Sequence, residues 1–294
     1  MKIGYFADGP WGQNTLIKLL KDSSISIGFV CVRNDNRDPI LMELAQQNGI
    51  DVLYHPNINS AEFLTILSHY QVDLFVSMSF NQIFKHTIIN FPPLKTINCH
   101  AGKLPFYRGR NILNWALIND EKEFGITVHY MDEGIDTGDI ILQRVYPISD
   151  MDTYETLLMR AHTACADILF DAIKKIQSGC AGRIMQTTIH PVGFYCGMRV
   201  AGDEQLDWNN SSRDIFNFVR AICSPGPQAR SYIGDAEIKI NAVSMVENAP
   251  HYKNTIGQVI GKTPSGFLVK TKDTFVEVTE YTFDGKVRIG DRLL

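Results

Sequence analysis

Three side chains in this sequence have the types that acyl transfer to an amine requires. An acyl carbonyl under attack by an amine becomes a tetrahedral oxyanion. The site therefore needs a hydrogen-bond donor, a base for the amine proton and a group to orient that base. Asn98, His100 and Asp136 can fill those roles. The first two belong to the run Asn98-Cys99-His100-Ala101-Gly102-Lys103-Leu104-Pro105-Phe106-Tyr107-Arg108-Gly109, and the third opens Asp136-Thr137-Gly138-Asp139. The apolar stretch 94–97 before the first run reads as a strand. Residues two apart in an extended segment point the same way, so Asn98 and His100 share a face while Cys99 points to the other. That alternation argues against Cys99 as a nucleophile paired with its neighbour.

Each residue taken singly has a plainer use. A histidine after a strand is most often structural, an asparagine forms turns, an aspartate caps them, and Arg108 and Arg110 are surface charges by default. Trp115 and Trp208 read as packing residues. Gly4, Gly9 and Gly12 do not form the GxGxxG of a nicotinamide site, and His129, His162 and His190 have no metal-ligand spacing. The catalytic reading rests on the whole set occurring in one pattern.

The elements that must position this set alternate. Residues 2–7, 25–32, 73–78 and 94–99 are short β-rich runs, and 15–20, 40–48, 61–70 and 111–118 carry helical apolar spacing. The pattern predicts an α/β fold, a mostly parallel Rossmann-like sheet with helices on both faces and ligands beyond the carboxyl ends of the strands. His100 follows one of those ends. Strands at 125–131 and 140–147 come next, then one long helix over 152–177, capped by Thr153 or Asp152 and ended by Gly179.

Composition shifts at 178–182 and 191–202, which are rich in small and turn-forming residues. Residues 211–222 read as an amphipathic helix stopped by Ser224-Pro225-Gly226-Pro227. Strand-like pieces at 237–243, 256–260, 267–270 and 275–280 predict a small β-barrel or open roll. The expected division is a catalytic domain at 1–200 and a smaller β-rich, OB-like domain at 201–294. With 294 residues, 45% hydrophobic and 20% charged, the chain has ordinary globular composition. A net charge of -4 argues against nucleic acid as a partner. The opening apolar run is too short for a signal peptide, and no stretch is long and apolar enough for a membrane span. Six cysteines without a CxxC pair suit a reducing cytoplasm.

The quoted runs resemble the core of the N10-formyltetrahydrofolate-dependent formyltransferases. The family's Asn-x-His and catalytic Asp fall on Asn98, His100 and Asp136; Asp136 is chosen over Asp139 because it begins the Asp-Thr-Gly unit. Leu206-Asp207-Trp208, Val219-Arg220-Ala221 and Arg288-Ile289-Gly290-Asp291-Arg292-Leu293 are similar to the carboxy-terminal β-domain of methionyl-tRNA and aminoarabinose formyltransferases. Where those commonly read His-x-Ser-Leu-Leu-Pro, this chain has His100-Ala101-Gly102-Lys103-Leu104-Pro105, closest to bacterial sugar N-formyltransferases. The resemblance implies N10-formyltetrahydrofolate as co-substrate, no metal, and a homodimer. It places the folate against Met78, Phe80, Gln82, Ile83, Asp132 and Asp139. The acceptor, a nucleotide-linked amino-dideoxy sugar, is placed near Lys103, Tyr107, Arg108 and Arg110. The implied acceptor is dTDP-4-amino-4,6-dideoxyglucose in O-antigen biosynthesis, with the 3-amino isomer open. Methionyl-tRNA formylation is the alternative; by resemblance it calls for a basic insert after the second strand, where Arg33-Asn34-Asp35-Asn36-Arg37-Asp38 is short and balanced. Glycinamide ribonucleotide formylation, the work of a stand-alone catalytic domain, does not fit the long second half.

Overall fold

A computed structural model describes Met1–Leu294. In chain order the elements are β1 (Lys2–Ala7), α1 (Gly9–Leu19), β2 (Ser26–Cys31), α2 (Pro39–Gln47), β3 (Asp51–Leu53), α3 (Ala61–Ser68), β4 (Leu74–Met78), α4 (His86–Ile89), β5 (Thr96–His100), β6 (Arg108–Gly109) and α5 (Ile112–Ile118). They continue with β7 (Glu123–Tyr130), β8 (Ile140–Pro147), α6 (Tyr154–Gln177), α7 (Gln186–Ile189), β9 (Tyr195–Cys196), α8 (Ser212–Ile222), β10 (Ala229–Ile233), β11 (Ala236–Met245), β12 (Val259–Lys262), β13 (Phe267–Lys270) and β14 (Phe275–Thr282). Contacts divide the chain into two units. The first is Met1–Arg110, Phe124–Tyr146 and Met159–Cys196; the second is Asn111–Glu123, Pro147–Leu158 and Gly197–Leu294.

The first unit is built on a seven-stranded sheet of order β3-β2-β1-β4-β5-β7-β8. β1 to β5 pair in parallel, as the alternation of strand and helix requires. The sheet is not parallel throughout: β7 runs antiparallel to β5, bringing His129 opposite Asn98 and Thr127 opposite His100. Phe6, Phe29, Phe75 and Phe84 are buried on the sheet, with Phe6 edge-on to the other three.

Two differences from the sequence reading have local causes. α1 begins at Gly9, six residues before the expected 15, because Asp8 is extended and Pro10 sits in the first turn, where its missing N–H costs nothing. The short β3, α4, β6, α7 and β9, and β10 as well, carry too few residues for periodicity to show. α6 starts at Tyr154, where Thr153 and Thr156 exchange hydrogen bonds at its N-terminus, and Gly179 follows its end at φ 71°.

In the second unit β10 to β14 form an antiparallel sheet of order β10-β11-β14-β13-β12. The chain's last residues hydrogen-bond both edges, Leu294 with Tyr232 of β10 and Asp291 with Val259 of β12, so the sheet closes into a small barrel. α8 carries a reciprocal cap between Ser211 and Asp214. Its Arg213 donates to Asp120 and Asp150, and Arg220 to the Ser149 and Asp152 carbonyls. No helix is long and apolar enough to cross a membrane.

Candidate active site

β5 delivers Asn98 and His100 to one face at its carboxyl end and Cys99 to the other, where its thiol lies 3.8 Å from the Cys165 carbonyl of α6. After His100 the chain turns sharply. A Cβ at Gly102 would sit 2.4 Å from His100 Nε2 and 2.5 Å from the Tyr107 carbonyl, so only glycine leaves the ring its place. Through that space His100 Nε2 donates to Tyr107 O at 2.7 Å. Thr127 on β7 donates to Gly102 O at 2.7 Å, and Gln143 on β8 donates to Thr127 Oγ1 and Leu104 O at 2.8 and 2.9 Å, pinning the turn from below.

Asp136 comes from the β7–β8 connection, at φ 55°. Its Oδ2 lies 3.5 Å from His100 Nδ1 and accepts the Gly109 N–H at 2.9 Å; its Oδ1 lies 3.5 Å from His129 Nε2. The side chain is only 12% exposed. Burial alone would raise its pKa, but the charges of His100 and His129 and the Gly109 N–H outweigh that and hold it well below the usual carboxylate range. Buried Gln186 sets the loop by donating to the carbonyls of Asp136 and Gly138 at 2.8 and 2.9 Å. Positive φ at Tyr107 and Asp136 gathers backbone strain at this one place. Asn98, His100 and Asp136 are thus brought together, and Asp139 lies outside the cluster, 3.9 Å from Arg183.

Four polar residues of this assembly are missing from the sequence reading: His129, Thr127, Gln143 and Gln186. His129 is the closest to the chemistry, 2% exposed, with Nε2 3.4 Å from the Asn98 amide and Nδ1 2.8 Å from Tyr130 O. Its signal was available: Thr127 and His129 repeat the two-residue spacing of Asn98 and His100 on the neighbouring strand. No group of three or more His, Cys, Asp or Glu side chains is arranged to hold a metal ion.

The other expected residues divide. Met78 is buried at the end of β4, and Phe80 packs on Phe6 and Phe84. Gln82 uses both ends of its amide internally, on Ile58 N and His55 O, and Ile83 is exposed. Of these four residues, what is left for a ligand is main chain and apolar surface. Asp132 holds its own loop through Gly134 N–H and Thr137. Asp132 and Asp139 line a cavity of about 360 Å³ with His86, Lys95, Tyr130 and Arg183. Tyr107 is buried and Arg110 exposed. Arg108 is not a loose surface charge: two of its guanidinium nitrogens donate to Gln186 at 3.2 and 2.6 Å. β6 and β9 pair in parallel, Arg108 opposite Tyr195, beside Phe194 packed edge-on against Tyr107.

Comparison with known proteins bears on what this geometry serves. The family described as Formyl transferase matches residues 1–173, and the one described as Formyl transferase, C-terminal domain, matches residues 200–291. The chain is 33% identical over 242 residues to a methionyl-tRNA formyltransferase of Syntrophus aciditrophicus (strain SB), covering 82% of this chain and 76% of that protein. It is 32% identical over 301 residues to the methionyl-tRNA formyltransferase of Halothermothrix orenii, covering 98% and 94%. Its fold is similar to that of WlaRD, a sugar 3N-formyl transferase solved in the presence of dTDP and 5-N-formyl-THF. That likeness has a TM-score of 0.70 and 22% identity, over 98% of this chain and 99% of WlaRD.

Proposed function

We propose, from the premise that the chain belongs to the formyl transferase family, that it moves a formyl group from N10-formyltetrahydrofolate to the amine of a nucleotide-linked amino-dideoxy sugar. The preferred acceptor is dTDP-4-amino-4,6-dideoxyglucose, in O-antigen assembly, with the 3-amino isomer next. The observation that carries the reaction is the meeting of Asn98, His100 and Asp136 at the carboxyl end of β5. The folate supplies an activated one-carbon unit; the chain's own residues do the rest. His100 takes the amine's proton and passes it to N10, which leaves as its bond to the formyl carbon breaks; Asp136 orients the ring and favours its charged form, and Asn98 donates to the formyl oxygen as negative charge grows there. A donor of that kind is worth roughly 2.7–4 kcal/mol. Holding amine and formyl group together supplies the remainder.

In this reading the main chain around Met78, Phe80, Gln82 and Ile83 and the loop with Asp132 and Asp139 hold the folate, while Lys103, Tyr107, Arg108 and Arg110 line the sugar side. Support for a small acceptor comes from the charges of the second unit. Arg213 is paired with Asp120 and Asp150, Arg230 and Lys239 with Glu237, and Lys270 is buried. Such pairing leaves less unbalanced positive charge than tRNA phosphates attract. Methionyl-tRNA formylation is the second reading, favoured by the names of the 33% and 32% identical relatives.

The deciding experiment incubates the protein and N10-formyltetrahydrofolate with a panel of dTDP-, UDP- and GDP-linked amino sugars and with methionyl initiator tRNA. Mass-spectrometric detection of a formylated nucleotide sugar is the expected result. Salt-sensitive binding and efficient formylation of methionyl-tRNA overturn it. Sedimentation of the same preparation tests the homodimer that belongs to this proposal.

A further inference from the structure

Asp136 faces two imidazoles, and each has its other nitrogen on a main-chain carbonyl. His100 Nε2 is 2.7 Å from Tyr107 O, and His129 Nδ1 is 2.8 Å from Tyr130 O. A carbonyl only accepts, so both of these nitrogens carry hydrogen. His100 Nδ1 and His129 Nε2 are the ring nitrogens without a carbonyl, and both face the carboxylate at 3.5 Å. With both rings neutral, two lone pairs would confront a nearly buried anion. With both charged, one anion would face two cations. A single shared proton balances the group.

The remaining acceptors decide which ring holds that proton. Oδ2 of Asp136, which faces His100, already accepts the Gly109 N–H, whereas Oδ1 faces His129. His129 Nε2 also lies 3.4 Å from one end of the Asn98 amide. The two ends of an asparagine amide are told apart only by their hydrogen bonds. A protonated Nε2 therefore selects Oδ1 of Asn98 as its second acceptor and turns the NH2 away.

We infer that His129 is a positioning residue for formyl transfer. As an imidazolium held by Asp136, it donates to Asn98 Oδ1, presents the Asn98 NH2 to the formyl oxygen, and leaves His100 Nδ1 bare to accept the amine's proton. The titratable groups facing it are Asp136, from the loop after β7, and His100, from β5 across the same carboxylate. The inference rests on the reading of Asn98, His100 and Asp136 as one catalytic unit.

The first test is nitrogen NMR of the full-length protein labelled with 15N-histidine, assigned with His129→Gln and His100→Gln. At neutral pH the His129 ring should show two protonated nitrogens and the His100 ring one. A bare His129 Nε2 overturns the inference, and this readout needs no acceptor. The second test is kinetic, on the acceptor that the panel identifies. His129→Leu should lower kcat roughly a hundredfold while KM for the formyl donor moves less than about threefold, the pattern of a lost transition-state contact. His129→Gln, whose amide can still donate to Asn98, should recover at least about tenfold of that loss. Wild-type kcat in the leucine variant overturns the inference, as does a glutamine variant no better than leucine with the same drop in Tm. If the wild type formylates nothing in the panel, the function reading fails and the spectrum alone decides the role of His129.

Discussion

Asp136 in the first unit and Lys270 in the second are both charges taken largely out of water, and their partners differ in kind. Lys270 is 1% exposed, and its ammonium donates to the carbonyls of Thr271, Asp273 and Thr274 at 2.8, 3.2 and 3.1 Å, below the Tyr252 ring. Burial lowers its pKa from the ordinary lysine value, against the pull of Asp273. Asp136 instead meets two imidazoles at 3.5 Å. Carbonyl dipoles have no proton to give, so the lysine's charge can only lock the turn after β13. Imidazoles exchange protons near neutral pH, so the aspartate's charge governs where a proton resides. Desolvation of a charge is met by fixed dipoles where shape is needed and by imidazole rings where chemistry is needed.

The largest effect expected from breaking this contrast is on turnover. Replacing His100 or Asn98 by Ala should reduce kcat by roughly a hundredfold or more, the usual contribution of a base or an oxyanion donor, with the thermal transition retained. Rates near wild type at saturating substrate would remove these residues from the mechanism and reduce the cluster to another structural knot.

The next effect is a pH dependence. The folded pKa of Asp136 lies below its unfolded value, near ~3.9 for an aspartate. Its stabilisation is therefore complete above that value and is lost as pH falls through the lower folded pKa. The advantage of wild type over Asp136→Asn in denaturant midpoint should persist from neutrality down to about pH 5 and shrink progressively as pH falls below about 4 toward the lower folded pKa. A difference that instead vanishes between about pH 6 and 7 would show that the imidazoles, and not the carboxylate, carry the stabilisation.

How much of this was legible in sequence follows from the length scale of each signal. β1 and β13 fall at the expected residues because their alternation or apolar run fills the whole element. Asn98 and His100 were readable because strand geometry alone sets them on one face. The strand at β7 was readable, but its antiparallel pairing with β5 was not, since a single sequence carries no record of which strand it joins. Thr127 and His129 repeat the two-residue spacing of Asn98 and His100 in sequence, but only that pairing sets them opposite His100 and Asn98. Gln186 was hidden for a related reason: it sits on a four-residue helix and meets Asp136 from 50 positions away. The role of Gly102 also appears only with the fold, because its constraint comes from a ring two residues back and a carbonyl five residues on.

Lys270→Met probes the structural half of the contrast. The thioether keeps much of the stem's packing but leaves three carbonyls without their shared donor. A loss of about 1–3 kcal/mol of stability is expected for such unmade hydrogen bonds, with kcat within about twofold of wild type. Chemical denaturation alongside steady-state rates checks both. A variant with intact stability and a large loss of turnover would mean that this turn takes part in catalysis, and the division between the two buried charges would fail.

Cys99→Ala should have the smallest effect, and it asks whether chemistry is confined to one face of β5. Cys99 stands between Asn98 and His100 in sequence, so a nucleophilic role would have to cross the sheet. Its sulfur instead points into the packing under α6, 3.8 Å from the Cys165 carbonyl. The thiol there acts as a small buried hydrophobe. Truncation removes one sulfur atom and should cost about 1 kcal/mol through the small void it leaves, with kcat within about twofold of wild type. Thermal melting and steady-state rates on the same preparation separate the two effects. A complete loss of turnover at an unchanged Tm would show that the sulfur reaches the reacting atoms, and the single-face reading of β5 would have to be abandoned for a covalent route.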